Sequence, residues 1–181
     1  MRLFFAVELP PDAQRVLGRL KPVDATADYR WVDPSLLHLT LAFLGEQPPE
    51  SLDVLQRVGT AAASSSARGV LRLGHAGQFG SKRAPRVLWV DVAGDLEALL
   101  GIQARLDQAL GEAGFPTEER AFRPHITLAR RRETARGGPP PDWPPNVRSV
   151  MFALERLTLM HSRLSSRGPT YTPIEHFLIG G

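Results

Sequence analysis

The chain has 181 residues, 43% of them hydrophobic, enough for one domain or two closely packed lobes around a real core. It has no cysteine, which removes disulfides, thiolate nucleophiles and cysteine–zinc sites together. Net charge is only +3, yet the isoelectric point is about 9.9, because all of its 22 basic residues except Lys21 and Lys82 are arginine, the better side chain for planar phosphate recognition.

Arg2 to Leu9, rich in Phe and Val, predicts a strand. This apolar run is too short for a secretory leader and meets Glu8 and Pro10-Pro11 at once, and no stretch is long enough to cross a bilayer. The expected location is therefore the cytoplasm. Pro10-Pro11-Asp12 opens a helix to about Leu20, with Ala13, Val16, Leu17 and Leu20 on one face and Pro22 as its stop. Tyr29 to Val32 is a short strand, Asp33-Pro34-Ser35 a turn, and Leu36 to Leu44 a strand closed by Gly45. Pro48 to about Ser65 reads as helix. Val70 to Phe79 and Arg86 to Val92 read as strands joined by a Gly-Ser-Lys-Arg loop. Leu96 to about Ala113 carries the clearest helical periodicity, stopped by Gly114. Pro124 to Arg130 is a strand. Glu133 to Arg148, with Gly137-Gly138 and five prolines, is an irregular loop in which Trp143 either covers a ligand or anchors the segment. Ser149 to Met160 and Tyr171 to Ile179 are closing strands.

One phrase occurs twice: His38-Leu39-Thr40-Leu41 and His125-Ile126-Thr127-Leu128. In a strand, side chains alternate faces, so each copy presents one imidazole and one hydroxyl on one side and two apolar groups on the other. The copies lie nearly half a chain length apart. This predicts an α+β fold of two pseudo-symmetric lobes, each an antiparallel sheet with outer helices, around a central cleft, with residues 1–181 forming a single bilobal unit. Two imidazoles that move protons near neutral pH and two hydroxyls that donate hydrogen bonds suit a phosphate. One histidine would activate water while the other protonates the leaving oxygen. No carboxylate cluster adjoins either motif, so no metal or other cofactor is expected. A zinc site on His38, His125 and a third histidine is the geometric alternative. His75, His161 and His176 lack the threonine partner and are given no role.

Arg120, Arg123, Arg130, Arg131, Arg132 and Arg136 crowd around the second motif, partly offset by Glu118, Glu119 and Glu133, and favour an anionic substrate such as RNA. Parity puts Arg123 on the face of His125. It turns Arg130 away unless a bulge intervenes. Phe4, Phe5 or Phe79 would floor the cleft or stack on a base.

Beyond the motifs themselves, three stretches resemble the LigT-like branch of the two-histidine phosphoesterase superfamily: Arg2-Leu3-Phe4-Phe5-Ala6, Trp31-Val32-x-Pro34-x-x-Leu37-His38-Leu39-Thr40-Leu41-x-Phe43-Leu44-Gly45 and Arg120-x-Phe122-Arg123-Pro124-His125-Ile126-Thr127-Leu128-Ala129-Arg130. The likeness runs nearly end to end, through Gly168-Pro169-x-Tyr171. Members of that branch are RNA 2′,3′-cyclic phosphodiesterases, historically called 2′-5′ RNA ligases. The resemblance implies that His38 is general acid and His125 general base, that Thr40 and Thr127 bind phosphate, and that Arg130 serves the site despite its parity. It implies a metal-independent hydrolase acting on RNA 2′,3′-cyclic ends and leaving a 2′-phosphate. ATP-independent 2′-5′ joining as the main activity is an alternative, and a non-catalytic RNA-end or nucleotide-binding protein is another. Arg123 and Phe5 are carried as further substrate contacts, and a monomer with no membrane association is expected.

Overall fold

Parity organises the first strand, β1 (Arg2–Glu8). Leu3, Phe5 and Val7 enter the main core, and Arg2, Phe4, Ala6 and Glu8 take the other face. The computed structural model describes residues 1–23, 28–118, 120–135, 143–165 and 168–180. Glu119, Arg136, Gly137-Gly138 and Pro139 to Pro141 of the predicted arginine cluster and loop lie outside the described residues.

After β1 comes α1 (Pro11–Gly18), with proline in its first turn and Ala13 and Leu17 buried. Then follow β2 (Tyr29–Trp31), a 3₁₀ turn at Pro34–Leu36 whose Asp33 side chain accepts from the Ser35 amide at 2.9 Å, and β3 (His38–Glu46). The second helix, α2 (Leu52–Ser64), buries Leu55, Val58, Gly59, Ala62 and Ala63. A long hairpin follows, β4 (Gly69–Ser81) and β5 (Ala84–Gly94), whose strands extend further into the predicted Gly-Ser-Lys-Arg loop than expected. Next is α3 (Leu96–Glu112), burying Leu99, Ile102, Leu106 and Leu110. The remaining strands are β6 (His125–Arg131), β7 (Met151–Leu154), β8 (Arg156–Ser165) and β9 (Gly168–Leu178).

Strand order is β7-β4-β5-β6-β3-β1-β8-β9, with β2 added on β6, and every pairing is antiparallel. The order is symmetric about the centre. β6 answers β3, β5 answers β1, β4 answers β8 and β7 answers β9. At the seam β3 and β6 pair through Leu39 and Ile126. The two half-sheets are the two predicted lobes. Leu39, Leu41, Ile126 and Leu128 face the common core, into which α2 and α3 also bury their apolar faces. The expected α+β bilobal arrangement is therefore present.

The predicted strand from Ser149 to Met160 is two strands. β7 pairs with β4 in one lobe and β8 pairs with β1 in the other, and Glu155 alone separates them. No glycine or proline marks this change of lobe. Apolar residues continue across it, because Phe152 and Leu154 serve one half-sheet and Leu157 and Leu159 the other.

Candidate active site

The seam fixes the relation of the two motifs. Antiparallel pairing of Leu39 with Ile126 sets His38 opposite Thr127 and Thr40 opposite His125. Leu39 and Ile126 are fully buried on the core side, so the two histidines and two threonines share the outer face. The imidazoles stand on one diagonal of this quartet and the hydroxyls on the other.

Both histidines are held in the same way. Nδ1 of His38 lies 2.8 Å from the Leu36 carbonyl oxygen, and Nδ1 of His125 lies 2.7 Å from that of Arg123. A carbonyl only accepts, so Nδ1 donates and the neutral ring keeps its lone pair on Nε2. Each ring also rests on aromatic groups. His38 meets Phe4 at 4.9 Å and the edge of Tyr171 at 5.0 Å between ring centres. His125 meets Phe79 edge-on at 5.0 Å and Trp89 at 6.4 Å. Burial pushes both imidazoles below the ordinary histidine pKa, the carbonyl bonds oppose this, and the Arg130 guanidinium adds to the lowering.

Arg130 reaches this face through a bulge. Leu88 pairs with Ala129 but Trp89 pairs with Thr127, so Leu128 is the extra residue of β6. Leu128 and Ala129 are consecutively buried, and Arg130, paired with Val87, returns to the face of Thr127. The first motif does the same. Ala6 pairs with Thr40 and Phe5 with Ala42, leaving Leu41 as the extra residue and bringing Phe43 to the cleft. The repeated unit is thus His-apolar-Thr-Leu-Ala, one residue longer than the phrase first read, and that shared Leu-Ala was the available signal for the bulges.

The cleft encloses about 940 Å³ and is lined by His38, Thr40, Thr127, Arg130, Phe4, Phe43 and Tyr171, with Arg2, Lys21 and Arg30 further along it. His125 is not among the residues that line it; it stands opposite Thr40, on the strand face of Thr127. Two expectations fail. Phe5 is fully buried on the core side, 6.2 Å from the ring of Phe177, because β1 alternates regularly there and Phe4 takes the cleft side. Arg123 precedes β6 rather than lying on its face. It is exposed, absent from the cleft wall, and meets the site only through the carbonyl that holds His125.

The arginine cluster of the second motif also disperses. Arg120 pairs with Glu118, Arg131 acts on Tyr29, and of the cluster's described members only Arg130 lines the cleft. The other cleft cations, Arg2, Lys21 and Arg30, come from distant segments; neither they nor Phe43 and Tyr171 were given a role at the site from the sequence. Trp143 anchors its loop, donating from Nε1 to the Gly77 carbonyl at 3.0 Å and packing edge-on against Trp31. His176 is held by Thr158 and Glu8, away from the cleft wall. Among the described residues no group of three or more histidine, aspartate or glutamate side chains is placed to hold a metal ion, and no helix is long and apolar enough to cross a membrane.

A two-lobed antiparallel sheet carrying a diagonal pair of His-x-Thr strands defines a narrow class of proteins. Residues 9–164 match the model of the 2′-5′ RNA ligase superfamily, and the chain belongs to that family. It is 36% identical to an RNA 2′,3′-cyclic phosphodiesterase of Thermus thermophilus, over all of this chain and 91% of that one. Among solved structures, a protein of the same bacterium superposes with a TM-score of 0.78 at 34% identity, covering 100% of this chain and 99% of that one. Escherichia coli LigT complexed with 3′-AMP superposes with a TM-score of 0.77 at 29% identity, covering 99% of this chain and 98% of that one.

Proposed function

We propose that this chain hydrolyses 2′,3′-cyclic phosphate ends of RNA to 2′-phosphates. The observation that carries the reading is the diagonal His/Thr quartet with both imidazoles presenting Nε2. Support also comes from family membership and from the relatives named as RNA 2′,3′-cyclic phosphodiesterases. Residues 1–181 are further proposed to act as one bilobal unit and as a monomer.

Neutral His125 takes a proton from water through Nε2, and the water oxygen attacks phosphorus. The P–O3′ bond breaks, protonated His38 gives its Nε2 proton to O3′, and the phosphate stays on O2′. Opposite corners of the quartet suit the in-line positions of entering and leaving oxygens. Thr40, Thr127 and Arg130 grip the non-bridging oxygens and stabilise the charge gained in the transition state. His125 is the more exposed imidazole, which suits the partner of water. His38, enclosed by Phe4 and Tyr171, suits the donor to a bound ribose.

The test is turnover of an oligonucleotide ending in 2′,3′-cyclic phosphate, with the product end identified. His38→Ala and His125→Ala are each expected to lose about 10²–10⁴-fold in rate while keeping the wild-type circular dichroism. A substrate with a better leaving group than O3′ is expected to rescue His38→Ala far more than His125→Ala. A 3′-phosphate product would overturn the assignment of the leaving oxygen.

A further inference from the structure

The cleft extends beyond its reacting centre. Its wall also takes in Arg2, Arg30, Lys21 and, from α1, Leu17 and Gly18, and its volume is at the upper end of what a small ligand fills. Arg30 is the cross-strand partner of Arg130 and so shares its face. A Cβ added at Gly168 would lie 2.8 Å from Arg30 Nη2, so the guanidinium of Arg30 reaches across to the start of β9. Arg2 approaches from β1. Arg130, Arg2 and Arg30 all act electrostatically on the Tyr171 hydroxyl.

Little offsets this charge. Among the described residues Asp33 is the one acidic residue on the cleft wall, and its Oδ1 already accepts from the amide and hydroxyl of Ser35, at 2.9 and 2.6 Å. Among the described residues the ion pairs are Met1 with Glu46, Arg15 with Asp12, Arg120 with Glu118 and His176 with Glu8, so none takes Arg2, Arg30 or Arg130. The half-buried Tyr171 hydroxyl also has no hydrogen-bond partner there. Glu46 stands across from Arg2 on β3, but its Oε2 pairs with the Met1 amino group at 3.5 Å. The guanidinium groups that line the cleft repel one another, and an anion among them relieves the repulsion and gains charge-assisted hydrogen bonds.

We propose that Arg2 and Arg30, arranged around the Tyr171 hydroxyl, form a second phosphate subsite that takes the phosphodiester on the 5′ side of the terminal cyclic phosphate. Tyr171 meets His38 edge-on, so the subsite adjoins the reacting centre as the next phosphate of a chain does. Arg130 faces the reacting phosphate, and Arg2 and Arg30 face its neighbour. The proposal rests on the functional reading above and deepens it: the protein acts on the ends of RNA chains in preference to free cyclic mononucleotides.

Three substrates test it: adenosine 2′,3′-cyclic monophosphate, the ApA dinucleotide ending in a 2′,3′-cyclic phosphate, and that dinucleotide with an uncharged methylphosphonate as its internal linkage. The wild type is expected to show kcat/KM at least tenfold higher on the charged dinucleotide than on the mononucleotide, mostly through KM. The methylphosphonate should abolish most of that ratio. Arg2→Gln and Arg30→Gln should each reduce it, with no further loss on the methylphosphonate. The preference should also weaken with salt. A methylphosphonate turned over as well as the charged dinucleotide would overturn the proposal without recourse to any variant, and so would variants that lose equally on all three substrates. If the wild type turns over none of them, the functional reading fails. The subsite is then tested by equilibrium binding of the dinucleotide 2′-phosphate with charged or methylphosphonate linkage. Equal affinities would overturn it, and at least fivefold tighter binding of the charged form, lost in Arg30→Gln, would sustain it.

Discussion

At the scale of single residues, the site depends on which nitrogen of each imidazole is left available. The carbonyls of Leu36 and Arg123 accept from the two Nδ1 atoms, so in the proposed mechanism acid and base alike present Nε2 to the substrate. Burial depresses both pKa values, and Arg130 depresses them further. Activity needs one ring charged and one neutral, so kcat/KM peaks between the two macroscopic values of the pair. Since both are pushed below the ordinary value near 6.5, the optimum is expected on the acid side of about 6.5, its two limbs belonging to the pair and not to either imidazole. Arg130→Gln removes a positive charge that disfavours imidazolium. Both limbs should move to higher pH, along with the loss of phosphate grip. A pH–rate profile of the variant with unmoved limbs would separate Arg130 from the two histidines.

At the scale of elements, the Leu-Ala pair after each motif turns two successive side chains inward and returns the next one to the cleft. One glycine further along the sheet matters comparably. A Cβ on Gly77 would lie 2.2 Å from the Trp89 ring, and that indole packs against His125. Gly77→Ala is therefore expected to displace the imidazole and lower kcat by about tenfold or more. Gly59→Ala makes the contrast. Its Cβ would lie 2.5 Å from Phe177, forcing α2 off β9 at a net cost of about 1–2 kcal/mol, since overpacking exceeds the gain in helix propensity. Its kcat should stay near wild type, as urea titration and steady-state kinetics together would show. The motif strands, the three helices and the quartet were legible because period and repetition mark them in the sequence. Arg130 was readable only by analogy, because a bulge breaks the parity rule and only the shared Leu-Ala hints at it. The division at Glu155 left no trace, since a chain can change lobes without turn residues when both stretches are apolar. The crowd of arginines near the second motif misled, because proximity in sequence does not place guanidinium groups on one face. Arg2 and Arg30 were there to be found by parity and pairing, but only once the sheet order was known.

At the scale of the molecule, the proposed mechanism takes proton transfer and charge stabilisation both from side chains of this chain. Turnover is accordingly expected to persist in excess EDTA, and a loss restored by one divalent ion would move the reading to a metallohydrolase. The sheet order carries another consequence. The lobe of His125 uses β4 to β7, consecutive in the sequence, with the earlier β2 added on β6, whereas the lobe of His38 joins β1 and β3 to β8 and β9. On the ribosome the first of these can close as soon as β7 has cleared the exit tunnel. β1 must wait with one edge unpaired until β8 arrives, because long-range pairing cannot precede synthesis of the partner. By then β3, which carries His38, has both of its neighbours β1 and β6, but Tyr171 of β9, whose edge meets the His38 ring, has not been made. In the proposed mechanism the acid therefore gains that aromatic wall only when the β8–β9 hairpin closes on β1.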